Sequence, residues 1–184
     1  MPRLIASIAL CLLLAACATR APAPLAELPA LRLAPASLGQ ELALQQKLTF
    51  RRGGQQRELD ALLEADGAEV RLLVQAMGQS GVKLSWDGAH LQQQRAPWLP
   101  PAVRGERVLD DLQFALWPLD AIRAALPAGW RVDEIDGERR LLDVQGRPWL
   151  LAQDAGGFGN VRLRNLAEGY ELDVRSMPME DASP

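Results

Sequence analysis

The sequence has two cysteines and one histidine among 184 residues, and this scarcity excludes several kinds of active site. Both cysteines, Cys11 and Cys17, lie near the start, so the rest of the chain offers no thiol for a disulfide, a zinc site or a nucleophile. His90 lies in a Gln-rich stretch beside a turn, where we expect a solvated side chain. GxSxG and HExxH motifs are also absent. We therefore predict a protein that is not an enzyme and that has no metal site or other cofactor.

Clusters of basic residues and long apolar runs are missing as well. The formal net charge is −3 and 48% of the residues are hydrophobic, as in an ordinary soluble globular protein. Without clustered Lys and Arg, nucleic acid is not expected as a partner. The longest apolar run, Leu4–Leu14, is shorter than the about 20 residues that a membrane-spanning helix needs.

The first residues instead predict export and lipid anchoring. Arg3 followed by the Leu4–Leu14 run is typical of a secretory signal peptide. Leu14-Ala15-Ala16-Cys17 resembles the bacterial lipobox, in which cleavage precedes the cysteine and its thiol is lipid-modified. We therefore expect a signal peptide over residues 1–16 and a lipid anchor on Cys17. By resemblance to Gram-negative lipoproteins, Ala18 after the cysteine implies an outer-membrane location facing the periplasm.

Residues 17–40 are predicted to form a tether. They are rich in Ala, Pro and Leu and show no clear periodicity, and their prolines oppose regular structure. The leucines near Leu31–Leu33 are candidates for docking onto the folded part. We place the folded domain at residues 41–177 and a frayed tail at residues 178–184.

The folded part is predicted to consist mostly of antiparallel strands. From Glu41 onward, apolar and polar residues alternate, and turn signals such as Gly53-Gly54 and Asp87-Gly88 recur about every ten residues. The segment Arg57–Ala65 also fits a helix, but we prefer a strand because its neighbours are strands. A second set of alternating segments follows after residue 130, and its members are Trp130–Ile135, Arg139–Val144, Trp149–Gln153, Val161–Leu166 and Tyr170–Arg175.

Two short helices are predicted between the two sets of strands. Val108, Leu109, Leu112 and Leu116 follow helical spacing. Pro118 suits the first turn of a second helix that extends over Leu119, Ile122 and Leu126. The fold class is therefore mainly β (α+β): a curved antiparallel half-barrel of about 10–11 strands, with the helical insertion acting as a lid. Such a shape tends to enclose an apolar cavity.

The stretch Val70–Trp86 is predicted to be the hairpin that matters most for function. Its two apolar faces flank a small turn at Met77 and Gly78, which we predict to be a membrane-facing loop. Trp98 and Trp117 flank the helical insertion and are candidates for a cavity mouth, where an amphipathic ring suits a half-wet site. The predicted ligand-lining residues are Leu72, Val74, Leu84, Trp86, Trp117, Leu119 and Ile122. The same side chains fit a plain packed core, so both interpretations stay open.

The acidic clusters and the glycine-rich segment are predicted to be exposed to solvent and to have no catalytic role. Asp110-Asp111 and the Asp133–Asp136 region hold closely spaced carboxyl groups. A glycosidase pair could be assembled from such residues, but 23 acids in 184 residues make close spacing common by chance. A hydrolase that uses these carboxyl groups stays as an alternative, but we predict that they lie on solvent-exposed faces. The Gly156–Gly159 segment lacks the helix and lysine of a phosphate cradle, so we expect a hairpin loop.

Two short segments resemble a known family. Leu72–Gly78 is similar to the strand and projecting apolar loop of LolB, and Pro118–Arg123, ending at Leu126-Pro127, is similar to a LolB helix. The order of lipobox, tether, strands, helices and strands also resembles the LolA/LolB group of lipoprotein carriers. The resemblance implies a half-barrel whose helical lid covers lipoprotein acyl chains. It places Met77 in the loop role, although the family has Leu there and a Pro in place of Ala76.

The resemblance also implies what the protein does and with whom. It implies an outer-membrane lipoprotein that receives or carries a hydrophobic ligand, either acyl chains or another lipid, with a periplasmic LolA-like carrier as a possible partner. The sequence is similar as well to lipoproteins encoded near aryl-polyene synthesis genes, which implies a polyene lipid as ligand. The alternative is a structural envelope lipoprotein that acts as an assembly partner and has no ligand cavity.

Overall fold

The computed structural model describes residues 27–99, 103–157 and 159–179. The predicted signal peptide (1–16) and the lipidation site Cys17 lie outside the described residues. Ten strands form one antiparallel sheet, and two helices lie between its fifth and sixth strands. The elements are β1 (Leu42–Arg52), β2 (Gln55–Ala65), β3 (Val70–Ala76), β4 (Gln79–Trp86), β5 (Leu91–Arg95), α1 (Gly105–Leu116), α2 (Leu119–Ala125), β6 (Arg131–Ile135), β7 (Glu138–Leu142), β8 (Pro148–Asp154), β9 (Val161–Asn165) and β10 (Tyr170–Pro178).

The two predicted sets of strands form one sheet because the first strand of the chain pairs with the last. Its strand order is β5-β4-β3-β2-β1-β10-β9-β8-β7-β6, so β1 pairs with the last strand as well as with β2. Leu48 is opposite Leu59 on one side and Val174 on the other, which brings the apolar positions of three strands onto one face. The predicted mainly β, open antiparallel sheet is confirmed, and Arg57–Ala65 lies in a strand rather than a helix.

The apolar face of the sheet is partly covered by α1. Leu109 and Phe114 of α1 are fully buried and belong to the same core cluster as apolar residues of the sheet. Burying one such side chain stabilises the folded state by about 1.5–3 kcal/mol relative to leaving it exposed to water. Pro118 lies immediately before α2, as the sequence predicts, and Ile122 of α2 is also fully buried.

An arginine on β7 holds the C-terminal end of α1. The Arg139 guanidinium donates hydrogen bonds to the carbonyl oxygens of Phe114 at 2.6 Å and Trp117 at 2.8 Å. These carbonyls have no partner within the helix, and a cation there complements the helix dipole. The contact fixes the helical insertion against the second half of the sheet.

Residues 31–38, which we call the strap, pack against α1. Leu31, Leu33 and Leu38 are buried. The Gln113 side chain accepts a hydrogen bond from the Leu33 N–H at 3.0 Å and donates one to the Leu33 carbonyl at 2.9 Å. The docking considered for Leu31–Leu33 therefore occurs, and the packed unit begins before Glu41 rather than at that residue.

Replacing Gln113 with Leu is expected to destabilise the protein by about 2 kcal/mol. The change removes both hydrogen bonds to Leu33, whose amide is buried, and an unsatisfied buried group costs roughly 1–3 kcal/mol. Urea unfolding followed by tryptophan fluorescence measures the loss. The matched control is Gln92→Leu on an exposed position of β5. Equal stability of the two variants would contradict this account of the strap.

The sheet extends slightly further than predicted at its C-terminal end. Pro178 pairs with Leu44, and the Met179 N–H donates to the Ala43 carbonyl at 2.8 Å. The predicted tail therefore begins inside a paired strand, because the backbone hydrogen bonds of β1 are available there.

Within the described ranges, no helix is both long and apolar enough to cross a membrane.

Candidate functional site

A cavity lies between the apolar face of the sheet and α1. Its volume is about 770 Å³, within the range of roughly 300–1,000 Å³ that is usual for small-molecule sites. Most of its wall is apolar. The apolar wall residues of the strands are Leu48, Phe50, Leu59, Leu72, Val74, Ala76, Val82, Val161, Leu163, Leu172 and Val174, and those of α1 are Val108, Leu112, Ala115 and Leu116.

Two of the seven predicted ligand-lining residues lie on the cavity wall, and these are Leu72 and Val74. The other five are not among the lining residues: Leu84, Trp86, Trp117 and Ile122 are buried in the core, and Leu119 packs against that core. The strap explains why Trp86 and Trp117 lie in the core and not on the cavity wall. Their indole N–H groups donate to the carbonyls of Leu33 at 2.7 Å and Ala34 at 3.3 Å.

Strands β1, β2 and β10 supply wall residues that the sequence interpretation left out. Leu48, Leu59 and Val174 lie next to one another across three strands and all line the cavity. Their alternation with polar residues was visible in the sequence. What the sequence did not reveal was the pairing of β1 with β10, which brings the two sets of strands onto one wall.

Exposed residues at the edge of the cavity mark its mouth. Met77 lines the cavity and is 98% exposed, and Trp98 lines it while also being exposed. The Trp98 ring packs over Gly81, where an added Cβ would come within 3.3 Å of it. Trp98, and not Trp117, therefore occupies the predicted position at the mouth. Basic side chains also border the mouth, and these are Arg52, Arg57 and Arg104.

Met77 is held in an unfavourable backbone conformation. Its φ is +49° and that of Gly78 is +75°, the geometry of a tight hairpin turn that favours Asn or Asp before Gly. Asp136 has the same conformation in the β6–β7 turn, with φ +52°. A residue without such a side chain pays about 1–2 kcal/mol in the left-handed region. A strained, fully exposed apolar residue at a cavity mouth motivates a functional hypothesis.

A cluster of buried polar groups lies on the cavity wall where α1 meets β10. Arg107 and Asp111 both line the cavity and are 8% and 7% exposed. Tyr170 donates its hydroxyl hydrogen to Asp111, and Arg107 donates to Asp110 at 2.7 Å. The prediction that Asp110 and Asp111 lie on a solvated face is wrong, because α1 is enclosed by the strap on one side and by the sheet on the other.

Burial changes the proton affinities of this cluster. It raises the pKa of Asp111 to about 7, although the nearby Arg107 opposes the shift. It also raises the pKa of Asp110, again against the effect of Arg107. The pKa of Tyr170 is raised first by burial and then by the adjacent Asp111. The cavity therefore has a buried polar region, whose carboxyl groups burial makes harder to ionise, in a wall that is mostly apolar.

Most of the other residues singled out from the sequence lie away from the cavity, although Gly159 of the Gly156–Gly159 segment is on its wall. His90 is exposed, and its Nδ1 is 3.2 Å from Asp87 Oδ2. Asp133 forms an ion pair with Arg140 at 2.8 Å. The Gly156-Gly157 backbone donates to Asp154 in a turn. No group of three or more His, Cys, Asp or Glu side chains arranged to hold a metal ion occurs in the part of the chain that the structure describes.

Comparisons with known proteins find similarities over the folded part of the chain. A family model described as "Protein of unknown function (DUF3261)" matches residues 43–178. None of the curated proteins compared with the chain matches it. Among solved structures, a DUF1329 family protein from Desulfovibrio piger is similar over 82% of this chain and 90% of that chain, with 8% sequence identity and a TM-score of 0.43. That likeness transfers no function to this chain.

Proposed function

The chain belongs to the DUF3261 family, and we propose that it is a non-enzymatic lipid-binding protein that holds a long acyl chain or a comparable lipid in the cavity between the sheet and α1. The observation that carries the proposal is the apolar wall of a cavity of about 770 Å³. Each methylene group of a ligand that leaves water for such a wall contributes about 0.8 kcal/mol. Because apolar contacts are non-directional, the chain portion of the ligand would be recognised by length and width rather than by detailed shape.

The proposed setting is the periplasmic face of the outer membrane. The lipobox-like sequence ending at Cys17 supports an N-terminal lipid anchor, and the resemblance of Leu72–Gly78 to the LolB loop supports a role in passing the ligand to or from a membrane. In this proposal, Met77 touches the membrane while the ligand passes the mouth beside it. A periplasmic carrier resembling LolA is the proposed donor.

Replacing Met77 with Asn is expected to stabilise the protein and to impair its contact with membranes. Asn tolerates the left-handed conformation at φ +49°, so the free energy of unfolding should rise by about 0.5–1 kcal/mol. Loss of the exposed apolar side chain should lower ligand transfer to phospholipid vesicles several-fold. Thermal unfolding and a fluorescent-lipid transfer assay measure the two effects.

Two control variants distinguish the effect of the apolar Met77 side chain from that of exposed apolar residues elsewhere. Met77→Leu keeps an apolar side chain and should retain transfer. Val144→Asn removes an exposed apolar residue that does not line the cavity, and it should also leave transfer unchanged. Full transfer by Met77→Asn would contradict the membrane-facing role.

The binding proposal is tested with a brominated long-chain monoacylglycerol and the purified protein produced without its N-terminal lipid. Bromine quenches a tryptophan that it approaches, and Trp98 borders the cavity. We expect saturable quenching that is strongly reduced in Trp98→Phe, while Trp149→Phe, which changes a tryptophan that does not line the cavity, keeps the quenching. An unquenched protein would overturn the proposal and favour an envelope assembly protein without a ligand.

A further inference from the structure

Three side chains on one face of α1 form a buried group with an unequal charge balance. Arg107 is followed by Asp110 and Asp111, the positions that lie next to it on a helix. Its Nη2 is 2.7 Å from Asp110 Oδ2, and its Nε is 3.6 Å from Asp111 Oδ1. One guanidinium thus serves two carboxyl groups. Asp110 also accepts a hydrogen bond from the Leu31 N–H of the strap at 3.1 Å, so it is a fixed structural partner.

Asp111 differs from Asp110 because one of its oxygens is left over. Its Oδ2 accepts from the Tyr170 hydroxyl, while Oδ1 and the Arg107 N–H at Nε have no hydrogen-bond partner among the described residues. Leaving a buried polar group unsatisfied is unfavourable, and such groups in folded proteins call for an explanation. Here an acceptor and a donor lie side by side, and both residues line the cavity.

The charges around this pair disfavour an anionic ligand. Facing Asp111 are Arg107 and Asp110 on α1, Tyr170 on β10 and Glu168 in the β9–β10 turn. Glu168 is itself paired with Arg104 at 2.9 Å. A further carboxylate placed beside Asp111 would be the third acidic group beside a single guanidinium, that of Arg107. A neutral group that can both donate to Oδ1 and accept from Nε satisfies the two orphan atoms without adding charge.

We infer that the Asp111–Arg107 pair binds the polar end of the cavity's ligand, and that this end is a neutral group that donates and accepts hydrogen bonds, as a glyceride hydroxyl or an amide does. The inference rests on the proposed function, because the apolar cavity would hold the attached chain. The nearby exposed Arg104 and the exposed residues of the mouth place this polar end close to solvent, which suits a lipid that enters chain first.

Three ligands with the same acyl chain test the inference: monopalmitoylglycerol, methyl palmitate and palmitate. They are titrated at about pH 8.5, above the pKa of Asp111, into the purified protein produced without its N-terminal lipid, and below their aggregation concentrations. We expect monopalmitoylglycerol to bind at least tenfold more tightly than methyl palmitate, which lacks a donor, and more tightly than palmitate, which is anionic. Asp111→Leu should bind the two esters equally. Tyr170→Phe leaves the Asp111 acceptor in place and should keep the preference.

The outcomes separate the inference from the proposed function. Equal binding of the two esters to the unmodified protein, or tightest binding of palmitate, would overturn the inference and leave the apolar cavity as the binding site. A preference that persists in Asp111→Leu would overturn the assignment to Asp111. No saturable binding of any of the three would overturn the proposed function and the inference with it. Should Asp111→Leu not fold, the comparison of the three ligands on the unmodified protein decides.

Discussion

Val174→Trp is expected to lower the affinity for a long-chain ligand at least tenfold, equivalent to about 1.4 kcal/mol of binding free energy. Val174 lies on β10, next to Leu48 of β1, and its side chain lines the cavity. A tryptophan there occupies space that the ligand needs. Because the cavity can take up the added volume, the cost of overpacking is expected to be small, and the melting temperature should change little or rise. Titration with brominated monoacylglycerol and thermal unfolding measure the two quantities.

The neighbouring position supplies a matched control. Arg175 is exposed, does not line the cavity and pairs with Lys47 of β1. Arg175→Trp adds the same side chain to the same strand outside the cavity, so affinity should be unchanged. If Val174→Trp bound the ligand as tightly as Arg175→Trp does, the ligand would lie elsewhere.

The second large effect concerns the pH dependence of stability. Burial raises the pKa of Asp111 from 3.8 to about 7, so between about pH 4 and pH 7 the folded state holds a proton that the unfolded state has lost. The free energy of unfolding should therefore fall as the pH rises through this interval, by on the order of a few kcal/mol, and then level off. Asp111→Asn cannot ionise and should lose most of that decline.

The surrounding groups define the comparison. In Asp111→Asn, Tyr170 keeps an oxygen to donate to and Arg107 keeps its bond to Asp110. Because burial also raises the pKa of Asp110, a smaller decline of the same sign should persist in the variant. Urea unfolding at a series of pH values, for both proteins, measures the difference. Parallel stability profiles would show that Asp111 ionises in the folded state with little hindrance.

Local patterns were sufficient to predict the strands, the helices and the exposed tip. Alternation identified the strands, including the ambiguous Arg57–Ala65, and Pro118 correctly separated the two helices. Gly78 after Met77 predicted the turn. These features depend on a few neighbouring residues, which is why a single sequence carries them.

Contacts between distant segments were not predictable in the same way. The proline-rich composition of residues 17–40 suggests a tether, yet the backbone of the strap is bound by Gln113, which lies far along the chain. Asp111 looks like a solvated acid until Tyr170 and the sheet enclose it. Likewise, Leu84 and Trp86 share a face with Leu72 and Val74, and it is the tertiary packing that divides this face between core and cavity.

Native mass spectrometry of the protein purified from its native organism tests the central claim most directly. We expect one non-covalently bound lipid per protein chain, with a long apolar chain and a neutral polar end, and we expect this lipid to be lost in Val174→Trp but not in Arg175→Trp. A protein that carries no bound lipid, or a lipid retained equally by both variants, would contradict a binding site between the sheet and α1.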